Sequence, residues 1–384
     1  MAFVIRYASL SGEIPSRNPT RSPEHPILCM TTDTKSELAA ILNGAAVFPL
    51  DDRAFLRITG SDATRWLNGM VTNSIQSLAP GEGNYNFLLN AQGRIQGDCT
   101  IYREPGEEPT FLLETDAAQI DAIQLHLDKF IIMDDVELNG GLNIIGQPVA
   151  GMALLGASAP ELIRKYLFKI NDQDEQRPLT IPKPATMTYA TIGHWKHRLF
   201  IQPNEGLGLV FTPPASSTPL FNIWLQNEGD RQHLRSLLEA DGAVDLSNEA
   251  QEAFRILSGT PRFGVDIRDR DLPQETNQIH ALHFTKGCYL GQEIVERIHS
   301  RGQVHRTFSG FRLTALPATL PAPLTSDGKP AGELTSAAIV PLPEGDAILA
   351  LGYVRREALD RNQPLAYEGG AATPATLPFQ ATAS

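Results

Sequence analysis

The stretch GNYNFLLNAQGRIQGDCTIYR, residues 83–103, constrains the fold most strongly. Apolar and polar side chains alternate on both sides of AQG, the period-2 pattern of two strands that turn back on each other. Tyr85, Phe87 and Leu89 share one face of the first arm, and Ile95, Cys99 and Ile101 one face of the second. An antiparallel sheet is therefore expected. The strands and helices around this hairpin alternate without the long parallel βαβ rhythm or a GxGxxG turn, so an α+β fold is favoured over a dinucleotide fold.

Upstream, Ser61 and Asp62 stand where a helix cap belongs, and Ala63, Trp66, Leu67 and Met70 recur at helical spacing behind them. Downstream, TFLLET predicts a strand. Ile120, Ile123, Leu127 and Ile131 predict an amphipathic helix running into IIMDDVEL. Residues 170–187 are polar, proline-bearing and aperiodic, as in a connecting loop. DRQHLRSLLEADG and SNEAQEAFRILSG each predict a helix with a glycine-bearing stop. From Arg306 onward, short apolar runs separated by Pro-, Gly- and Asp-rich turns predict a small β-barrel. No internal repeat is evident. The expected division is a disordered tail (1–33), an N-terminal α+β domain (34–150), a middle α+β domain (151–305) and a C-terminal β-barrel (306–384).

The chain has 384 residues, long enough for two or three domains, and no segment approaches the roughly 20 apolar residues that cross a bilayer. A net charge of −12 argues against direct nucleic-acid binding, which needs a dominant basic surface. No membrane partner is expected. The three cysteines, Cys29, Cys99 and Cys288, are widely spaced and odd in number, which fits a reducing compartment and gives neither a disulfide framework nor a CxxC metal knuckle. Arg6, Arg17 and Arg21 are mixed with Glu13 and Glu24, unlike an acid-poor transit peptide, so a cytoplasmic location is expected.

One cysteine stands apart. In KGCYLGQE, residues 286–293, Cys288 follows Lys286 and Gly287 and precedes a helical pattern that opens near Leu290. Helix-terminal amides and the lysine both favour a thiolate, and Gly287 and Gly291 allow close backbone approach or positive φ. An isolated cysteine is also commonly a small buried hydrophobe. His280, His283, His299 and His305 are near in sequence, though no metal-binding spacing includes Cys288. Lys286, Arg297, Arg301 and Arg306 outnumber Glu293 and Glu296 here, which suits an anionic ligand.

KGCYLGQEIVERIHSRGQVHR resembles the signature of the YgfZ-type folate-binding proteins, whose mitochondrial relatives serve late iron–sulfur cluster assembly. The resemblance extends to the stretch from LRITGSDATRWLNGM through GDCTIYR, to LDKFIIMDDVEL, and to AGELTSAA and ALGYVRREAL, covering about Ala46 to Leu359. It implies a three-domain fold similar to the aminomethyltransferase of the glycine cleavage system, arranged around a folate-binding channel. It also implies functional roles for Lys286, Gly287, Cys288, Tyr289, Gly291, Gln292 and Glu293, with Cys288 as the required thiol. Arg301 and Arg306 are the candidates for the carboxylate tail of tetrahydrofolate. Two motifs of the aminomethyltransferase differ. GRIQGDC offers Gly97 and Asp98 in place of an acidic pair, and residues 189–210 show no counterpart of its pterin-facing glutamate stretch.

The expected function is a tetrahydrofolate-binding accessory protein that supports assembly or repair of iron–sulfur clusters in client enzymes, with assembly proteins or client enzymes as partners and no bound metal of its own. The alternative is a tetrahydrofolate-dependent aminomethyl- or methyltransferase using Asp98. That residue would otherwise face solvent, on the strand face opposite Cys99 and Ile101.

Overall fold

The computed structural model describes residues 32–104, 107–141, 143–144, 147–167, 187–192, 208–212, 218–302, 304–342 and 345–379. The expected tail lies outside the described residues except at its last two positions, and of the expected loop 170–187 only Met187 is described.

The chain enters through α1 (Thr32–Asn43) and β1 (Ala46–Pro49). A first unit follows: β2 (Arg53–Thr59), α2 (Ala63–Met70), β3 (Glu82–Leu89), β4 (Ile95–Arg103), β5 (Phe111–Asp116), α3 (Ile120–Asp128) and β6 (Glu137–Gly140). After a small hairpin, β7 (Asn143–Ile144) with β8 (Gln147–Pro148), the order repeats: β9 (Ala150–Leu155), α4 (Ala159–Tyr166), β10 (Met187–Ile192), β11 (Gly208–Thr212), β12 (Leu220–Leu225), α5 (Glu228–Ala240) and β13 (Val244–Asp245). Both units read β-α-β-β-β-α-β, and their ten strands together with β1 form one eleven-stranded sheet in the order β13-β1-β9-β12-β11-β10-β3-β4-β5-β2-β6. The units meet edge to edge, Met187 opposite Gly83 and Thr188 opposite Glu82, while β1 is inserted between β9 and β13 of the second unit.

The repetition extends to one corner. Each unit turns from its first strand into its first helix at a glycine of the same conformation, Gly60 at φ +117 and Gly156 at φ +116. Three residues on, Ala63 and Ala159 are each fully buried and donate their amides back to those glycines at 3.1 Å. A Cβ on Gly60 would stand 2.0 Å from the Asp135 carbonyl oxygen, and one on Gly156 2.5 Å from that of Gly44. Only glycine fits either corner.

Helices α2 and α3 cover one face of the first unit, where Trp66, Leu67, Ile123 and Leu127 pack on Leu56, Cys99, Ile101 and Leu113. In the second unit, Leu162, Leu234 and Leu238 pack on Leu154 and Ile223. The expected cap at α2 differs: the Asp62 side chain caps nothing, accepting instead from the Asp135 amide at 3.0 Å, and Ser61 donates to the Asp135 carboxylate. The predicted α3 ends at Asp128, and Ile131 packs on the core from the following turn. The hairpin also departs from strict alternation. Leu88 pairs with Gly97 and Leu89 with Ile95, so a bulge at Gln96 turns Ile95 onto the face of Phe87 and Leu89, away from Cys99 and Ile101.

Helix α6 (Asn248–Leu257) is capped by Ser247, whose Oγ accepts from the Ala250 amide at 3.2 Å, and Asn227 caps α5 in the same way at 3.0 Å. Two 3-10 turns (Pro273–Thr276 and Ile279–Ala281) then lead to α7 (Gln292–Arg301). The C-terminal region is a closed six-stranded barrel, as expected. Its strands are β14 (Arg306–Leu313), β15 (Ala322–Ser326), β16 (Lys329–Leu342), β17 (Gly345–Arg355), β18 (Leu365–Tyr367) and β19 (Gly370–Ala375), with α8 (Arg356–Asp360) between β17 and β18. Fully buried Asp266 ties the barrel to the rest, accepting from Thr335 and Ser336 of β16 at 2.5 and 2.8 Å and from Arg255 of α6 at 2.7 Å.

Candidate functional site

The segment 280–291 lies along residues 69–73, where α2 gives way to β3. Leu290 donates its amide to the Gly69 carbonyl at 3.0 Å, His283 to that of Thr72 at 3.1 Å, and Thr72 Oγ1 donates to the Ala281 carbonyl at 2.7 Å. Asn73 joins three parts of the site. Its carbonyl accepts from Lys286, and its side-chain amide donates to the carbonyls of Tyr85 and His280 at 3.2 and 2.8 Å.

The far end of the segment is locked by glycine. Gly291 precedes α7 at φ +82, and a Cβ there would stand 2.6 Å from the Asn90 carbonyl oxygen. Gly93, at the hairpin turn, has φ +69, and its Cβ would stand 2.7 Å from Ile294 Cβ. Gly287 differs from the expectation for it: it is exposed, a Cβ there would meet nothing within 4 Å, and it has no positive φ.

Cys288 is exposed, so it is not the packed hydrophobe of the alternative reading. Beneath it, the Lys286 ammonium donates to the Val71 and Asn73 carbonyls at 2.7 and 2.6 Å and lies 4.9 Å from the centre of the Tyr289 ring. No carboxylate pairs with it among the described residues, and burial lowers its pKa to about 7. Tyr289 is buried among Phe87, Leu89 and Val295 with its hydroxyl unpartnered, and burial followed by the nearby Glu296 charge raises the pKa of that hydroxyl. Gln292 Oε1 accepts from the Tyr289 amide at 3.3 Å, which braces the turn. Glu293 is exposed in the first turn of α7, where a carboxylate complements the helix dipole.

Asp98 lies opposite Phe87 in register, on the sheet face turned away from α2 and α3. It does not simply face solvent: Tyr85 Oη donates to its carboxylate at 2.5 Å and Gln119 Nε2 at 2.8 Å. Burial and the Asp98 charge push the Tyr85 hydroxyl well above its ordinary pKa. The Tyr85 ring lies 5.5 Å from that of His280, whose pKa burial lowers. Of the other histidines near Cys288 in sequence, His283 accepts from the Thr285 amide and His299 stacks on Phe284 at 3.8 Å. Among the described residues no histidine hydrogen-bonds Cys288, and none of the His, Cys, Asp and Glu side chains cluster as a metal site.

The two arginines expected to hold a carboxylate tail fare differently. Arg306 is surrounded by the protein's own acids, Asp271 at 2.5 Å, Glu275 at 3.1 Å and Glu333 at 3.4 Å, and lies over the Tyr353 ring at 4.5 Å. It joins β14 to the segment before α7, so the expected tail contact is corrected to a structural role. Arg301 closes α7, and its side chain lies outside the described residues. Sequence reasoning passed over Asn73, Tyr85 and Gln119, which carry no motif signal, and Gly93, which it took only for a hairpin turn.

These features define a protein of the aminomethyltransferase fold. The structure matches the glycine cleavage system aminomethyltransferase T from Bartonella henselae with a TM-score of 0.71 at 18% identity, covering 91% of this chain and 90% of that one. Residues 19–192 match the family model described as the GCVT N-terminal domain. In sequence, the chain is 26% identical to the mitochondrial iron-sulfur cluster assembly factor IBA57 of Mus musculus, over 81% of this chain and 78% of that protein. It is equally identical to the homologue named for the same factor in Neurospora crassa, over 76% of this chain and 57% of that longer protein. It is also 26% identical to the aminomethyltransferase of a Nostoc species, over 89% and 85%.

Proposed function

We propose that this chain is a tetrahydrofolate-binding accessory protein that supports assembly or repair of iron–sulfur clusters in client enzymes, with Cys288 as its working thiol. The observation that carries this reading is the mounting of Cys288. It is an exposed thiol on a loop locked at Gly291 and Gly93, two residues from a half-buried ammonium without a carboxylate partner among the described residues. The names of the mouse and Neurospora crassa relatives support it. A single cysteine does not hold a cluster alone, since clusters normally take four ligands. Cys288 therefore acts together with ligands from a client or an assembly protein.

The residues fit the pterin end of a folate. The Asp98 carboxylate is oriented by Tyr85 and Gln119, and a carboxylate so held accepts the N–H groups of a pterin. The Tyr85 and His280 rings offer flat surfaces beside it. Tetrahydrofolate, when bound, supplies nitrogens that carry a one-carbon unit. Asp98, Tyr85 and His280 would hold and orient the ring, and Asn73 ties Tyr85 and His280 to Lys286 through its side-chain amide and its carbonyl.

The test is the activity of an iron–sulfur enzyme in cells lacking their own protein of this type, complemented with the native chain or with Cys288→Ser at equal expression. Rescue by the native chain alone supports the reading, and rescue by neither removes it. One observation favours the transferase as a second reading: the Asp98 carboxylate is held in place as an acid–base group would be. Release of methylenetetrahydrofolate from an aminomethyl donor, lost in Asp98→Asn, would establish that activity. The cytoplasm is the compartment we propose from the acidic residues of the first thirty positions. The mouse and Neurospora crassa relatives are named mitochondrial, and fractionation of the tagged chain decides.

A further inference from the structure

Strands β14 and β17 of the barrel set two arginines directly opposite each other, Arg306 against Arg355. Residues so paired share a face of the sheet, and like charges there repel. Arg306 is compensated by Asp271, Glu275 and Glu333. Those acids are already shared. Glu333 also pairs with Arg268 at 3.1 Å and Arg270 at 3.2 Å, and Asp271 also accepts from the Arg268 amide at 2.8 Å. Arg355, by contrast, is exposed, and its side chain makes no hydrogen bond or ion pair among the described residues. Four arginines thus meet three carboxylates, and Arg355 is the surplus cation.

Arg355 stands between two cavities. The larger, of about 350 Å³, has Pro321, Pro323, Pro330 and Tyr353 along its walls, a volume within the range of small-molecule sites, roughly 300–1,000 Å³. The smaller, of about 120 Å³, shares Pro330 and Arg355 with it and adds Lys329, which is also exposed and without a partner among the described residues. That is about four times the volume of a water molecule in the liquid, enough for one oxyanion. The acids beside it are occupied, Asp327 by Gln363 at 3.2 Å and Glu357 by Arg361 at 2.9 Å. None of Cys288, Lys286, Tyr85 or Asp98 lines either cavity.

We propose that this end of the barrel is a ligand site separate from the Cys288 and Asp98 region, selective for a phosphate monoester with a compact apolar body. The phosphoryl group sits in the smaller cavity on the Arg355 fork and the Lys329 ammonium, and the apolar body lies in the larger one against the three proline rings. A guanidinium fork beside a second cation matches a dianion with three acceptor oxygens better than a single carboxylate. This goes beyond the folate reading and does not depend on it.

The test is calorimetric titration of the full chain with phenyl phosphate. It should bind with a dissociation constant of about 1 mM or tighter. Benzoate and inorganic phosphate should each bind about fivefold more weakly, the first for its single charge and the second for its missing ring. Arg355→Gln should weaken phenyl phosphate about tenfold and Lys329→Gln about threefold. Arg312→Gln, which removes an exposed barrel arginine that lines neither cavity, should leave binding unchanged. If Arg355→Gln does not fold, Lys329→Gln alone decides. The proposal is overturned if phenyl phosphate up to about 20 mM gives no binding heat, if benzoate binds as tightly, or if the folded variants bind undiminished. It is equally overturned if Arg312→Gln weakens binding as much as Arg355→Gln, or if tetrahydrofolate displaces phenyl phosphate competitively.

Discussion

Gly291 and Gly93 face each other across the junction between α7 and the β3–β4 hairpin, such that a Cβ on Gly291 would stand 3.2 Å from the Gly93 Cα. Both have positive φ. The position of the Cys288 loop is thus set by a contact between two backbones nearly two hundred residues apart in the chain.

Gly291→Ala should therefore be severe. It combines the left-handed backbone penalty of about 1–2 kcal/mol with a backbone clash, for a total loss of about 2–4 kcal/mol in urea denaturation. Gly287→Ala meets open space and should stay within about 0.5 kcal/mol. Equal effects from the two substitutions would contradict the lock.

The pKa of Lys286 is lowered to about 7 by burial, which makes stability depend on pH with a definite sign. Between pH 7 and the ordinary lysine pKa the unfolded chain binds the proton and the folded chain releases it, so this group makes stability rise with pH across that window. The penalty is fully present below pH 7. Stability of the native chain relative to Lys286→Met should thus increase from pH 6.5 to 9.5. A difference that stays flat over this range would mean that the two carbonyls hold the ammonium at its ordinary pKa. The same lysine should be acylated faster than surface lysines at pH 7.5, as read by peptide mass spectrometry.

Arg306→Ala removes the cation from among Asp271, Glu275 and Glu333, and Asp271 is 1% exposed. Breaking a buried pair from one side leaves an uncompensated charge, so a loss of about 3 kcal/mol is expected. Folate affinity measured below the melting point should be unchanged. A folded variant that loses folate selectively would restore the ligand role.

Asp98→Asn should weaken tetrahydrofolate binding about tenfold, through loss of a charge-assisted hydrogen bond, as followed by fluorescence quenching. Tyr85→Phe should weaken it less, because Gln119 still orients the carboxylate. Unchanged affinity in both variants would place the ring elsewhere.

Several elements were legible because their signals are local. The hairpin showed in its alternation, α5 and α6 in their helical patterning and glycine-bearing stops, and the barrel in short runs broken by turns. Lys286 to Glu293 were singled out by their motif and lie together on the loop before α7 and in its first turn. The bulge at Gln96 was not legible, because residue parity alone cannot show which register the neighbouring strand imposes. Nor was the duplication, since the two units share element order and a glycine corner while their side chains have diverged.

By itself the sequence determined where the chain alternates, coils and turns, since those preferences are properties of neighbouring residues. It also determined which residue types were available for chemistry. The tertiary structure decided what each of them met. Asp62 gave up capping for the Asp135 amide, Arg306 was drawn to three carboxylates, and Asp98 was taken up by Tyr85 and Gln119. Hydrogen bonds and ion pairs act over a few ångströms of space whatever the distance along the chain, so a polar side chain's role is set by the groups that the fold brings to it.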